Sequence, residues 1–148
     1  MAREYIPVAT ERLVRERANS RCEYCCSPAF VGAAPFSIEH IWPVSRDGNS
    51  EENNLAFSCL GCNYAKGARV EAFDALVGAN VLFFHPRRQR WSDHFGWSAD
   101  FLWIVPRSAV GRVTIQALAL NRSELVSFRE VLVLRGWHPP PDAQSADT

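Results

Sequence analysis

Two Cys-x-x-Cys turns constrain the fold of this chain more than any other feature of its sequence. Cys22 and Cys25 bound the first turn, and Cys59 and Cys62 bound the second. Two such turns can place four thiolates tetrahedrally around one zinc ion, and a structural site of this kind keeps no open position for chemistry. We therefore predict a structural zinc site that holds the fold. Cys26 could replace Cys25 as a ligand, but the turn geometry favours Cys25, and we expect Cys26 to be a free or buried thiol.

The cysteines also admit a redox interpretation, in which one Cys-x-x-Cys pair exchanges a disulfide. That interpretation predicts a single pair in a thioredoxin-like βαβ context, whereas this chain has two pairs and lacks that context. The first residues lack the apolar core of a secretory signal, and no apolar run approaches the ~20 residues of a membrane helix. We expect a cytoplasmic protein with no membrane partner, where thiols bind metal in preference to forming disulfides.

The composition is that of an ordinary globular protein. Of the 148 residues, 47% are hydrophobic and 22% are charged, and the formal net charge is zero. Zero net charge argues against a broadly basic protein that coats DNA, although a local basic patch remains compatible with it. We predict a single domain over residues 1–138, with a core at about 20–70, an extension at about 80–138 and a disordered tail at 139–148.

Hydrophobic periodicity and turn residues predict an α+β fold. Val8, Leu13, Val14 and Ala18 would form the inner face of an N-terminal helix, Ser123 would cap the last helix, and Gly136 would end it. Three predicted helices cover residues 7–19, 112–120 and 123–135. A fourth carries Asn63 and Lys66 and could extend over residues 70–76. The predicted strands cover residues 36–41, 81–84 and 101–105.

Residues between and beside the cysteine turns carry groups suited to phosphodiester hydrolysis. Glu39 and His40 are adjacent on the first predicted strand, and Asn54, Asn63 and Lys66 follow. Histidine has a pKa near neutrality and can deprotonate water. Carboxylate and amide oxygens suit Mg²⁺ or Mn²⁺, which can carry charge that develops on phosphate. Each residue alone has an ordinary structural alternative, as a hydrogen-bonded histidine or a turn asparagine.

The stretch from Cys22 to Gly67 resembles the HNH endonuclease family. The shared pattern is a Cys-x-x-Cys turn, Glu39-His40-Ile41 followed by proline, a glycine-containing loop, Asn54-Leu55, and Cys-x-x-Cys-Asn-x-x-Lys-Gly. Three later runs resemble a group of bacterial HNH proteins. They are Leu82-Phe83-Phe84-His85-Pro86-Arg87, Trp91-Ser92-Asp93-His94-Phe95, and Gly111-Arg112-Val113-Thr114 leading to Leu120-Asn121-Arg122.

The resemblance implies a ββα-metal core in which two strands and a helix hold one catalytic cation. It implies that His40 is the general base, that Glu39 and Asn63 hold Mg²⁺ or Mn²⁺, and that Asn54 orients the active-site loop or His40. It also implies that Lys66, the only lysine, approaches phosphate. Two positions differ from the common pattern. Asn63 occupies the third signature position in place of histidine, and Glu39 stands where aspartate is frequent.

The expected function is metal-dependent hydrolysis of DNA, with a homodimer if both strands are cut. Two alternatives are a zinc-ribbon module that binds nucleic acid without activity and a structural adaptor that uses exposed aromatic residues. The first leaves the cluster from Glu39 to Lys66 unexplained, and the second explains neither cluster. His85 and His94 are expected to be structural. Phosphate contact and a solvated surface stay equally open for Arg87, Arg88 and Arg90.

Overall fold

The computed structural model describes residues 5–32 and 34–141, and it has the predicted α+β class. These residues form two compact units. The first comprises the described residues up to Val70 together with His85–Arg88, and the second comprises Glu71–Phe84 and the described residues from Gln89 onward. None of the helices in the described part of the chain is long and apolar enough to cross a membrane. The single domain expected over residues 1–138 stays a prediction, and residues 142–148 of the expected tail lie outside the described residues.

The first unit contains two antiparallel strands followed directly by a helix. Its elements are α1 (Val8–Arg17), β1 (Ser37–His40), β2 (Leu55–Ser58) and α2 (Leu60–Lys66). Glu39 lies opposite Ala56, and His40 lies opposite Leu55. Because side chains alternate along a strand, Glu39 and His40 point to opposite faces of the β1–β2 hairpin. Adjacent residues in the sequence therefore reach different surroundings.

In the core of the first unit, α1 packs onto the face of the β1–β2 hairpin opposite Glu39. Val14, Leu55 and Phe57 are buried together, and Ile38 packs against them. The predicted inner face of α1 is correct for Val14 and wrong for Val8 and Leu13, which are exposed. Only a narrow stripe of this ten-residue helix meets the core.

The second unit is built from three pieces of helix and two small hairpins. Its elements are β3 (Glu71–Asp74), β4 (Ala79–Leu82), α3 (Trp91–His94), β5 (Phe95–Trp97), β6 (Ile104–Pro106), α4 (Ala109–Ala117) and α5 (Ser123–Leu134). β3 pairs with β4 and β5 pairs with β6, both antiparallel.

Local backbone geometry explains where the predicted elements were wrong. The helix extension over 70–76 does not form, because Gly67 has a φ of +56° and ends α2, and residues 71–74 become a strand. The strand expected at 101–105 begins only at Ile104, since Phe101 has a φ of +62°. Arg122, not Ser123, is the N-cap of α5, whereas Gly136 ends that helix with a φ of +75° as predicted.

Two polar side chains organise the interior of the second unit. Asn121 accepts from the Ile104 N–H and donates to the Ile104 carbonyl, both at 2.8 Å. The Arg129 guanidinium is buried, donates to the Leu120 carbonyl at 2.6 Å and lies over the Trp97 ring. A buried cation needs such partners, because each unsatisfied donor would otherwise lose its hydration without compensation.

Candidate functional site

The four cysteines of the two turns converge on one point. The Sγ atoms of Cys22, Cys25, Cys59 and Cys62 all lie within 4.8 Å of one another, and the Cys25 and Cys59 sulfurs are 3.7 Å apart. Tetrahedral zinc with bonds of about 2.3 Å requires sulfurs separated by ~3.8 Å. The four cysteines predicted from the two turns are therefore positioned to form a zinc site. Cys26 is not part of the cluster.

Backbone geometry prepares these sulfurs for a cation. The Cys25 N–H points at Cys22 Sγ at 3.5 Å, and the Cys62 N–H points at Cys59 Sγ at 3.4 Å. Such contacts favour thiolate over thiol. Burial raises the pKa of Cys22, whereas hydrogen bonding from Cys22 lowers the pKa of Cys59. A zinc ion binds thiolates, so its binding would release the protons that these sulfurs carry.

Glu39 lies between the first cysteine turn and α2. Its carboxylate is only 4% exposed. The hydroxyl of Tyr24, a residue inside that turn, donates to Glu39 Oε2 at 2.6 Å, and Lys66 Nζ from α2 lies 2.6 Å from Oε1. Burial raises the pKa of Glu39, and the Lys66 ammonium opposes that increase. Through these two contacts, the Glu39 carboxylate on β1 is linked to the first cysteine turn and to α2.

The Lys66 ammonium is enclosed by the protein. Its side chain is 2% exposed, and besides Glu39 it donates to the carbonyls of Ile41 at 2.9 Å and His40 at 3.4 Å. Contact of Lys66 with phosphate stays a prediction, and it would require the ammonium to leave Glu39. In the arrangement observed, Lys66 holds the end of β1, where His40 lies.

We predict that Lys66→Met lowers the stability of the protein by about 3–5 kcal/mol, because it leaves a buried carboxylate without its cation. Adding Glu39→Gln should recover part of that loss, since the double variant no longer buries a charge. The midpoint of urea unfolding of the zinc-loaded variants measures both effects. A double variant no more stable than Lys66→Met alone would show that the ion pair is not what stabilises this region.

His40 lies at the end of β1, half-buried on the face opposite Glu39. Its Nε2 atom is 2.8 Å from Ser50 Oγ. Ser50 belongs to the loop that connects β1 to β2, so the side chain is held from outside its own strand. This contact fixes the orientation of the imidazole, and it involves only one of the two ring nitrogens.

Asn54 organises the loop between β1 and β2. Its Oδ1 accepts from the Trp42 N–H at 2.8 Å, and its Nδ2 donates to the carbonyls of Trp42 at 2.9 Å and Asn49 at 2.8 Å. Its own carbonyl accepts from the Ile41 N–H. Asn54 therefore ties together both ends of the segment that follows His40, and its predicted role in orienting the loop has direct geometric support.

Asn63 projects from α2 toward the face of β1 that also carries Glu39. Its Nδ2 donates to Ser37 Oγ at 3.0 Å, and Ser37 is two residues before Glu39 on that strand. Strand alternation places both on the same face. Asn63 is half-buried, and its amide oxygen is the group that could serve as a ligand. The structure thus brings Glu39 and Asn63 to one face of the hairpin.

Residues 22–69 match the family model of the HNH endonucleases. The match covers the two cysteine turns, β1, β2 and α2, which are the elements that form the geometry above. A comparison with curated proteins gives no match, and a comparison with solved structures gives none. A match to this family indicates nucleic acid as the substrate class.

Two residues near the HNH segment have structural roles. Arg87 forms an ion pair with Glu23, which sits in the first cysteine turn and also accepts from the Phe57 N–H at 2.8 Å. Burial lowers the pKa of Arg87 to about 10, so it remains protonated at neutral pH. His85 accepts from the Arg87 N–H at 3.2 Å, and burial lowers its pKa. Arg87 is therefore neither a free phosphate contact nor a solvated surface residue.

His94 also has a structural partner, within the second unit. Its Nδ1 is 2.7 Å from Ser108 Oγ, and Ser108 caps α4 by accepting from the Gly111 N–H at 3.1 Å. These contacts agree with the expected structural role of His94.

The HNH segment contains important residues that sequence reasoning missed. Tyr24, Ser37 and Ser50 have no signature of their own, because their importance comes from partners 15, 26 and 10 positions away. For Tyr24, the one signal in the sequence was its position between Cys22 and Cys25. Tyr24 lies inside a metal-binding turn, where a large aromatic residue needs a partner for its hydroxyl once it is buried.

Proposed function

We propose that this chain is a metal-dependent HNH endonuclease that hydrolyses phosphodiester bonds of DNA. The observation that carries the proposal is the position of His40. It ends a strand that Lys66 and Glu39 connect to the zinc turn, and Ser50 holds its ring. An imidazole held at the end of a strand inside the HNH segment suits a reaction that needs a precisely oriented proton acceptor.

His40 acts as the general base in this proposal. In the tautomer that this role requires, Nε2–H donates to Ser50 Oγ and the Nδ1 lone pair is available to take a proton from water. The resulting hydroxide attacks phosphorus in line with the leaving 3′-oxygen. The imidazolium then carries the proton, and Ser50 keeps the ring in place while the charge develops.

Glu39 and Asn63 are the residues that would hold Mg²⁺ or Mn²⁺. Their oxygen donors suit a hard cation. They share the face of the hairpin opposite His40, so the phosphate would have to lie at the end of β1 to meet both the cation and the base. Because Glu39 is buried and its Oε1 is paired with Lys66, a cation bound there would have to take the place of the Lys66 ammonium. When bound, the cation neutralises charge on the phosphate and on the leaving oxygen. Asn54 and Lys66 act as positioning residues that hold the loop and the strand end around His40.

The expected setting follows from the chemistry of the site. A four-thiolate cluster keeps its metal best in a reducing compartment such as the cytoplasm. A single ββα unit has one base and therefore cuts one strand, so cleavage of both strands would require a homodimer.

Cleavage of supercoiled plasmid by the zinc-loaded protein tests the proposal. We expect nicked product when Mg²⁺ or Mn²⁺ is added and none in its absence, because the zinc site has no open position for chemistry. A protein that binds DNA but leaves the plasmid intact with every divalent ion would support the non-catalytic zinc-ribbon module. A protein that does neither would contradict nucleic acid as its substrate.

A further inference from the structure

The loop after His40 presents an aromatic residue and an arginine as a stacked pair. Trp42 lies two residues after His40 and is 38% exposed. Its indole Nε1–H donates to the Arg46 carbonyl at 3.0 Å, and the Arg46 guanidinium carbon lies 5.1 Å from the centre of the indole ring. We call this pair the Trp42–Arg46 platform.

The platform is rigid before any substrate binds. Both backbone groups of Trp42 are held by the side chain of Asn54, at 2.8 and 2.9 Å. Gly48 packs so closely against this turn that a Cβ atom there would lie 1.8 Å from the Trp42 carbonyl oxygen. The loop thus fixes the indole through its backbone and through its ring. A preformed contact surface avoids the entropy loss of ordering a side chain on binding.

Such a platform suits nucleic acid. Nucleobases stack on aromatic rings and on guanidinium planes, and the interaction is tolerant of sequence because every base has a flat face. Among residues 5–32 and 34–141, Arg46 forms no ion pair with a carboxylate, so its charge is available to phosphate. An exposed indole fixed in this way has little value for the core, because it leaves apolar surface in water.

We infer that the Trp42–Arg46 platform stacks with an unpaired nucleobase next to the scissile phosphate, and that the substrate class is DNA with an unpaired base at the cut. This inference rests on the proposed function. In an intact duplex the faces of each base are covered by its neighbours, so a platform can stack only on a base that is already exposed or can be flipped out. Mismatched, gapped or single-stranded sites present such a base.

Binding of the uncleaving His40→Ala protein to two oligonucleotides tests the inference. Both are short duplexes carrying 2-aminopurine, one fully paired and one with the 2-aminopurine opposite a single-nucleotide gap. We expect about tenfold tighter binding to the gapped duplex, with quenching of the 2-aminopurine fluorescence by stacking. Adding Trp42→Ala should remove both the preference and the quenching, whereas Trp42→Phe should keep most of both.

Trp103 provides the matched control, because it is 46% exposed and lies in the second unit. Trp103→Ala should leave the preference and the quenching unchanged. Equal binding of the two duplexes, or a preference that survives Trp42→Ala, would overturn the inference. Zinc content reports whether Trp42→Ala has folded. Because binding is measured without cleavage, an inactive wild-type protein would contradict the endonuclease proposal alone, and a cleaving protein without the preference would contradict the platform alone.

Discussion

His40→Ala is expected to lower the rate of DNA cleavage by about 10²- to 10⁴-fold, the usual contribution of a general base. Zinc content and DNA binding should stay near those of the wild type. Within the described part of the chain, the imidazole makes one hydrogen bond, to Ser50, and losing one such bond costs about 1 kcal/mol of stability. Plasmid nicking with saturating Mg²⁺, together with zinc analysis of the same sample, measures the two effects.

Ser50→Ala is the matched control for His40→Ala, because it removes the same hydrogen bond and keeps the base. Its rate should lie between those of the wild type and His40→Ala. Asn63→Ala should also cleave slowly, but its residual activity should rise with Mn²⁺ concentration, since a weakened ligand set can still be filled by mass action. A folded His40→Ala protein that cuts at the wild-type rate would exclude His40 as the base.

Cys25→Ser is expected to destabilise the protein more than either Lys66→Met or His40→Ala. Structural zinc contributes binding free energy to folding, on the order of 10 kcal/mol in small zinc domains. Loss of one thiolate should reduce zinc from one ion per chain to a small fraction, and the β1–β2 hairpin should lose order because Tyr24 and Glu39 depend on the first cysteine turn. Elemental analysis and circular dichroism measure these changes.

Cys26→Ser is the neighbouring control for Cys25→Ser. Cys26 lies outside the four-cysteine cluster. It should keep one zinc ion per chain and unfold at nearly the wild-type temperature. If Cys25→Ser retained zinc while Cys26→Ser lost it, the ligand assignment would be wrong.

Prediction from the sequence worked best where the controlling interactions are local. Gly136 ends α5 as its position indicated, since a glycine accepts a positive φ without strain. The helix carrying Asn63 and Lys66 was also anticipated, but its extension beyond Gly67 was wrong. Residues 71–74 form a strand because they pair with residues 79–82, and pairing partners lie outside the window that a periodicity argument uses.

In the candidate site, the residue types could be predicted from the sequence but their contact partners could not. Its residue types were evident in the sequence, because an acidic residue beside histidine, two asparagines and a lysine lie between and beside the cysteine turns and suit phosphodiester chemistry. Their partners were not. Lys66 was expected at phosphate, yet its ammonium lies 2.6 Å from Glu39 in the interior. A buried carboxylate attracts the nearest cation strongly, but which cation is nearest depends on how α2 packs against β1.

Sequence patterns alone predicted the four-cysteine cluster, the strand that carries Glu39 and His40, and the helix that carries Asn63 and Lys66. Spacing of two residues between cysteines sets a turn geometry, and that geometry holds wherever the turn lies in the fold. Three sets of contacts could be found only in the folded molecule. Tyr24 and Lys66 both contact Glu39, Ser50 contacts His40, and the Arg46 guanidinium lies over the Trp42 ring. These contacts join segments that meet only after the zinc turns, the hairpin and α2 have packed together.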